Sequence, residues 1–144
     1  MVVIILGILA AVVIPQFGSS SADAKLSALK SNLSAIRGAI ELYAIEHDGI
    51  YPDGDFVNQM TLFSNKAGAT QTSKTVDYRY GPYLKSGIPE NPFAQNVATA
   101  AEVYVNTATN QLGTVAADPN APAGWIYVSQ TGEFIANESS VEHY

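Results

Sequence analysis

An α+β fold is predicted, with one long N-terminal helix laid against a small antiparallel sheet in a single head. Three observations predict it. Residues 1–14 contain no polar side chain. Residues 22–47 place Leu26, Leu29, Leu33, Ile36, Ile40 and Tyr43 at spacings of three and four, which is one face of a helix. Beyond Pro52 the helical period gives way to short alternating runs punctuated by Gly, Pro and Asn. The chain divides accordingly into an apolar helix half (1–21), an amphipathic helix half (22–48) and a head with a C-terminal antiparallel sheet and a short tail (49–144).

As a helix, the apolar run MVVIILGILAAVVI measures ~21 Å at about 1.5 Å per residue. A bilayer core is ~30 Å thick, so the run is too short to span alone. Three readings compete. A secretory signal would carry a cationic leader and a small-residue cleavage site, and neither pattern is present. A buried core helix is disfavoured because Val and Ile on every face leave no polar side for water. The preferred reading is part of a membrane helix that continues upstream. Pro15 removes a helical hydrogen bond at a cost of ~3 kcal/mol, and Gly7 adds about 1 kcal/mol. Backbone between those residues is the expected place for bending or melting.

In the amphipathic half, Lys25, Lys30, Arg37 and Glu41 lie off the apolar stripe. Arg37 and Glu41 are spaced for an i,i+4 ion pair. Ser21 and Asp23 offer capping chemistry should the helix restart there. Asp48-Gly49 is a stop signal, with Gly49 free to take the left-handed conformation, and Pro52 forbids continuation.

In the head, Asp55 is placed to cap a short helix over 56–63, with Phe56, Met60 and Phe63 on one face. Residues 66–75 are small and polar and read as a loop. Tyr78, Tyr80, Tyr83 and Leu84 form an aromatic patch around Gly81-Pro82, and Pro89 and Pro92 hold an extended stretch across the head. Strands are predicted at 101–106, 124–129 and 133–137. The last two flank the turn Gln130-Thr131-Gly132. Ile126, Val128 and Phe134 are expected to face the helix. Residues 138–144 are expected to form a loose tail.

Composition excludes several chemistries. The chain of 144 residues has no Cys, so a disulfide, a thiolate metal site and a Cys nucleophile are ruled out. Net charge is −6 with no Lys/Arg stripe along the sequence, which argues against nucleic-acid binding. The two histidines, His47 and His143, have no metal-ligand spacing, and His47 at a helix end reads as a dipole-compensating residue. Asp48, Asp53 and Asp55 lack the register of a calcium loop. No phosphate-binding, dinucleotide or nucleophile-elbow motif occurs. No catalytic, cofactor-binding or metal-ligating residue is therefore expected.

The segment ILGILAAVVIPQF (5–17) and the amphipathic helix ending in IELYAIEHDGIYP (40–52) resemble the type IV pilin superfamily. The segments YGPYLKSGIPENPF (80–93) and GWIYVSQTGEFIAN (124–137) look like the major pseudopilins of type II secretion systems. The resemblance implies a subunit made with a basic leader upstream of Met1, held in the inner membrane with its head in the periplasm. It implies assembly by an ATPase-driven machine, with minor pseudopilins as partners, into a helical homo-oligomeric filament. It also implies an α/β-roll head. Met1 falls several residues inside the family's mature helix. The family's Asp-rich calcium loop is not carried over, because residues 129–137 hold only Glu133 as an acid.

The residues expected to build a filament core are Val2, Val3, Ile4, Ile5, Leu6, Gly7, Ile8, Leu9, Val12, Val13, Ile14 and Pro15. Those expected to pack the helix on the head are Leu26, Leu29, Leu33, Ile36, Ile40 and Tyr43. Two function classes follow: a structural filament subunit, or a membrane-tethered binding or enzymatic domain. A tether needs no apolar stripe continuing into the soluble part, and this chain has one, which favours the filament subunit.

Overall fold

The computed structural model describes every residue except Met1, Thr109, Asn110, Glu142 and His143, and the side chains of residues 5–20 also lie outside the description. Helix α1 runs without a break from Val2–Glu46. It does not restart at Ser21 or Asp23, whose side chains are exposed in mid-helix. It ends where Asp48 and Gly49 turn left-handed, at φ 60° and 83°. The Gly49 N–H reaches back to the Ala44 carbonyl at 2.7 Å, closing the last turn.

A short helix α2 follows (Phe56–Thr61), shorter than the period of Phe56, Met60 and Phe63 suggested. Phe63 instead opens a two-residue strand β1 (Phe63–Ser64), paired antiparallel with β2 (Thr70–Gln71). Residues 66–75 are thus not all loop. Asp55 sits at the N-terminus of α2, but its carboxylate accepts from the Asn58 side chain at 2.8 Å rather than capping a backbone N–H.

The main sheet is mixed, not antiparallel. Strand β3 (Val103–Asn106) lies parallel to β4 (Trp125–Val128), and β4 pairs antiparallel with β5 (Glu133–Ala136). Connection length permits the parallel pairing without dictating it. Residues 107–124 join β3 to β4, more than the dozen or so a parallel crossover needs. The four residues between β4 and β5 permit only a hairpin.

The register of the hairpin also differs from expectation. Tyr127 pairs with Phe134 and Trp125 with Ala136, and these four residues join the core with α1. Ile126 and Val128 therefore point to the opposite face, where Ile126 opposes Ile135. The aromatic residues gain the helix face because their polar atoms find acceptors at its rim. Trp125 Nε1 donates to the Pro89 carbonyl at 2.8 Å, and the Tyr127 hydroxyl donates to the Pro52 carbonyl at 2.8 Å. Phe134 does face the helix. Ile126, Val128 and Ile135 are buried too, and Val115 and Ala116 of the β3–β4 connection border the same cavity as Ile135.

Two devices hold that connection and the last residues. The Asn137 side chain donates to the carbonyls of Ala121 and Ala123 and accepts from the Asp118 N–H, tying the loop to the end of β5. The described residues of the final segment are docked rather than loose. Val141 is buried in the core, and the Tyr144 ring lies 4.4 Å from Lys30 Nζ.

Candidate assembly surface

α1 is 45 residues long, ~68 Å at the ordinary helical rise. Among the described side chains, those of 2–4 and 21–25 are exposed, and packing on the head begins at Leu26, which is partly buried against the core. Leu29, Leu33, Ile36, Ile40 and Tyr43 follow, each at most 2 % exposed. The apolar stripe thus fixes which face of the helix the head takes and how far down it reaches. At the other end, Val2, Val3 and Ile4 are 70, 79 and 65 % exposed. Successive residues turn by about 100°, so these three large apolar groups point in three directions and no single partner face can cover them. The backbone is helical across Ile5, Leu6, Gly7, Ile8, Leu9, Val12, Val13, Ile14 and Pro15, and their side chains lie outside the described residues.

Arg37 does not pair with Glu41. Its guanidinium donates to the Phe134 carbonyl at 3.1 and 2.9 Å and to the Tyr144 carbonyl at 2.6 Å. It covers an acceptor on β5, an edge strand, which is a place where an unpaired carbonyl invites aggregation. The planar fork serves both acceptors at once, which an ammonium point charge would not.

His47 is not a solvated helix-end residue. It is 2 % exposed and stacks on Tyr43 at 3.7 Å with the rings nearly parallel. Its Nδ1 lies 2.8 Å from the Tyr43 carbonyl, and its Nε2 lies 3.1 Å from Ser64 Oγ and 3.0 Å from the Asn65 carbonyl. The ring thereby ties the last turn of α1 to β1. Its position was legible, since His47 follows Tyr43 by four and continues the stripe. The Ser64–His47 contact has nucleophile–base spacing. Ser64, however, is fully buried, and the second ring nitrogen meets a backbone carbonyl rather than an orienting carboxylate.

Three tyrosines in this region resist ionisation. Burial pushes Tyr43 up to about 12, with nearby Asp53 adding to it. Tyr83 is raised by burial and then by its 2.6 Å bond to the Glu46 carboxylate. Tyr127 is raised chiefly by burial. Each hydroxyl belongs to the helix–head contact and is held neutral by lack of water.

Among the described residues no group of three His, Asp or Glu is placed to hold a metal ion, and no helix is long and apolar enough to cross a membrane. No family model, curated protein or solved structure matches this chain.

Proposed function

We propose that this protein is the structural subunit of a filament of the type IV pilin kind, nearest to the major pseudopilin of a type II secretion system. One observation carries the reading: among the described side chains the head covers α1 from Leu26 onward, while Val2, Val3 and Ile4 at the start of a run with no polar side chain are exposed. A helix apolar on every side is stable only when surrounded. Lipid surrounds it before assembly, with the head in the periplasm, and the same helices of neighbouring copies surround it afterwards. Residues from Val2 to Pro15 then form the filament core, and Leu26 to Tyr43 hold an α/β-roll head on the outside. Assembly machinery and minor pseudopilins are the partners this reading implies. Gly7 and Pro15 make the stretch between them the place where α1 extends as subunits stack.

The test is to express the full chain in membranes, extract it in mild detergent and dilute the detergent away. Filaments of uniform width by negative-stain microscopy are expected. Dispersed monomers or amorphous aggregate across detergent and salt conditions overturn the proposal. Replacing Val3 and Ile8 with Asp should abolish filaments while the head keeps its thermal transition.

A further inference from the structure

The pair Asp-Gly occurs twice in the chain, at 48–49 and at 53–54. Such a pair can isomerise without any enzyme, because glycine has no Cβ to keep its backbone nitrogen away from the preceding carboxyl. The nitrogen attacks Cγ of the protonated carboxyl. A Cγ–N bond forms, and one carboxyl oxygen leaves as water with the N–H proton. Water then reopens the five-membered imide. Opening at Cγ restores aspartate. Opening at the former backbone carbonyl leaves the chain running through the side chain, as isoaspartate. The backbone gains one carbon, the mass is unchanged, and nothing is oxidised or reduced.

The fold treats the two attacking nitrogens differently. The Gly49 N–H is engaged, donating to the Ala44 carbonyl at 2.7 Å in the turn that ends α1. Turning its peptide plane toward Cγ of Asp48 breaks that bond and undoes the left-handed turn of both residues. The Asp48 carboxylate is also tethered, 2.8 Å from Lys66 Nζ. At 53–54 the restraints are reversed. Asp53, Gly54 and Asp55 are exposed. The Gly54 N–H has no hydrogen-bond partner among the described residues, so its peptide plane is free to turn. Asp53 Oδ1 accepts from the Asp55 N–H at 3.1 Å, which folds the carboxyl back over the Gly54 peptide. The Asp53 N–H is itself anchored on Gln59 Oε1 at 2.9 Å. An electrophile held beside a nucleophile that can rotate is the arrangement in which proximity speeds a reaction.

We infer that Asp53 is a site of spontaneous isoaspartate formation in the folded protein, and that the end of α1 protects Asp48 from the same change. The product reaches the core of the head. The added carbon enters beside Pro52, whose carbonyl accepts the Tyr127 hydroxyl at 2.8 Å. It also enters two residues before α2, whose Phe56 packs on Tyr127 with ring centroids 4.2 Å apart. The bond from Asp53 to Gln59 spans the same joint. Isomerisation therefore loosens α2 from the sheet as the protein ages, whether or not the chain is assembled.

The experiment ages the full chain in mild detergent for weeks near neutral pH, folded and in urea. Trypsin then releases residues 38–66 as one peptide, cut after Arg37 and Lys66, which carries both sites. Fragmentation by electron transfer locates isoaspartate by position. In the folded protein it should accumulate at 53 and not at 48. In urea it should accumulate at both, because the pairs are alike once the fold is gone. Gly54→Ala should lose the signal at 53. Gly54 is not left-handed and an added Cβ there meets nothing within 4 Å, so this variant should keep the wild-type urea midpoint. Equal accumulation at 48 and 53 in the folded protein overturns the inference, as does none at 53. An unchanged signal at 53 in Gly54→Ala overturns it too. Failure of Asp48 to react in urea shows that α1 is not what protects it, and overturns that half.

Discussion

Two glycines should respond to the same substitution with opposite signs. At Gly124 an added Cβ would lie 2.2 Å from the Ala100 carbonyl oxygen and 2.7 Å from its carbon. Those are backbone atoms that cannot swing aside. The crowded joint also carries bonds, from Gly124 N–H to the Thr99 carbonyl and from the Asn137 N–H and Asn91 side chain to the Gly124 carbonyl. Gly124→Ala must push the 97–100 turn away from the start of β4. Overpacking of this kind costs about 1–3 kcal/mol, and each strained or lost hydrogen bond adds about 1 kcal/mol. A total loss of ~3–4 kcal/mol is expected, a large part of the margin of so small a head. At Gly38 nothing lies within 4 Å of an added Cβ, and the position is exposed in mid-helix. Gly38→Ala should stabilise by ~0.5–1 kcal/mol, the usual glycine penalty in a helix. Trp125 is the chain's one tryptophan and is fully buried, so its fluorescence reports unfolding in urea. A Gly124→Ala midpoint within error of wild type would refute the close approach of β4 to Ala100. A destabilising Gly38→Ala would show that the back of α1 is already covered in the monomer.

Arg37→Ala should cost ~1–2 kcal/mol, a thermal shift of several degrees, by uncovering the Phe134 carbonyl and releasing Tyr144; Arg37→Lys should recover only part of it. Asn137→Ala should raise amide exchange in residues 118–123 with little change elsewhere, whereas Asn137→Asp should be worse, since it aims a carboxylate at the carbonyls of Ala121 and Ala123. In alkali, the folded-state values of Tyr43, Tyr83 and Tyr127 lie above the unfolded value near 10. Their contribution to stability is therefore complete below about pH 10 and declines as pH climbs toward the folded values. Tyrosinate absorbance should show an early rise from exposed tyrosines and a later step coincident with loss of helical circular dichroism. A single smooth titration around the ordinary phenol value would contradict their burial.

Linear patterning was enough for the long helix, because an apolar stripe of period 3.6 can be satisfied by one conformation only. The same stripe named Leu29, Leu33, Ile36, Ile40 and Tyr43, and carried one step further it reaches His47. The strand segments near 103, 125 and 133 were also legible from alternation and from the turn at Gly132. Tertiary structure alone decided how those strands associate. Alternation says that Trp125 and Ile126 face opposite ways, but both are apolar, so either could have met the helix. The choice fell to acceptors distant in sequence, the carbonyls of Pro52 and Pro89, which satisfy Tyr127 and Trp125 on one face only. Strand direction was likewise hidden, since a long connection permits either sense until it is packed. Arg37 follows the same logic: its i,i+4 neighbour Glu41 was visible along the chain, while the Phe134 and Tyr144 carbonyls that hold it exist as a pair only once β5 lies against the helix. Local periodicity is encoded in neighbouring residues, whereas register, strand sense and the partners of a long polar side chain depend on groups that folding brings together.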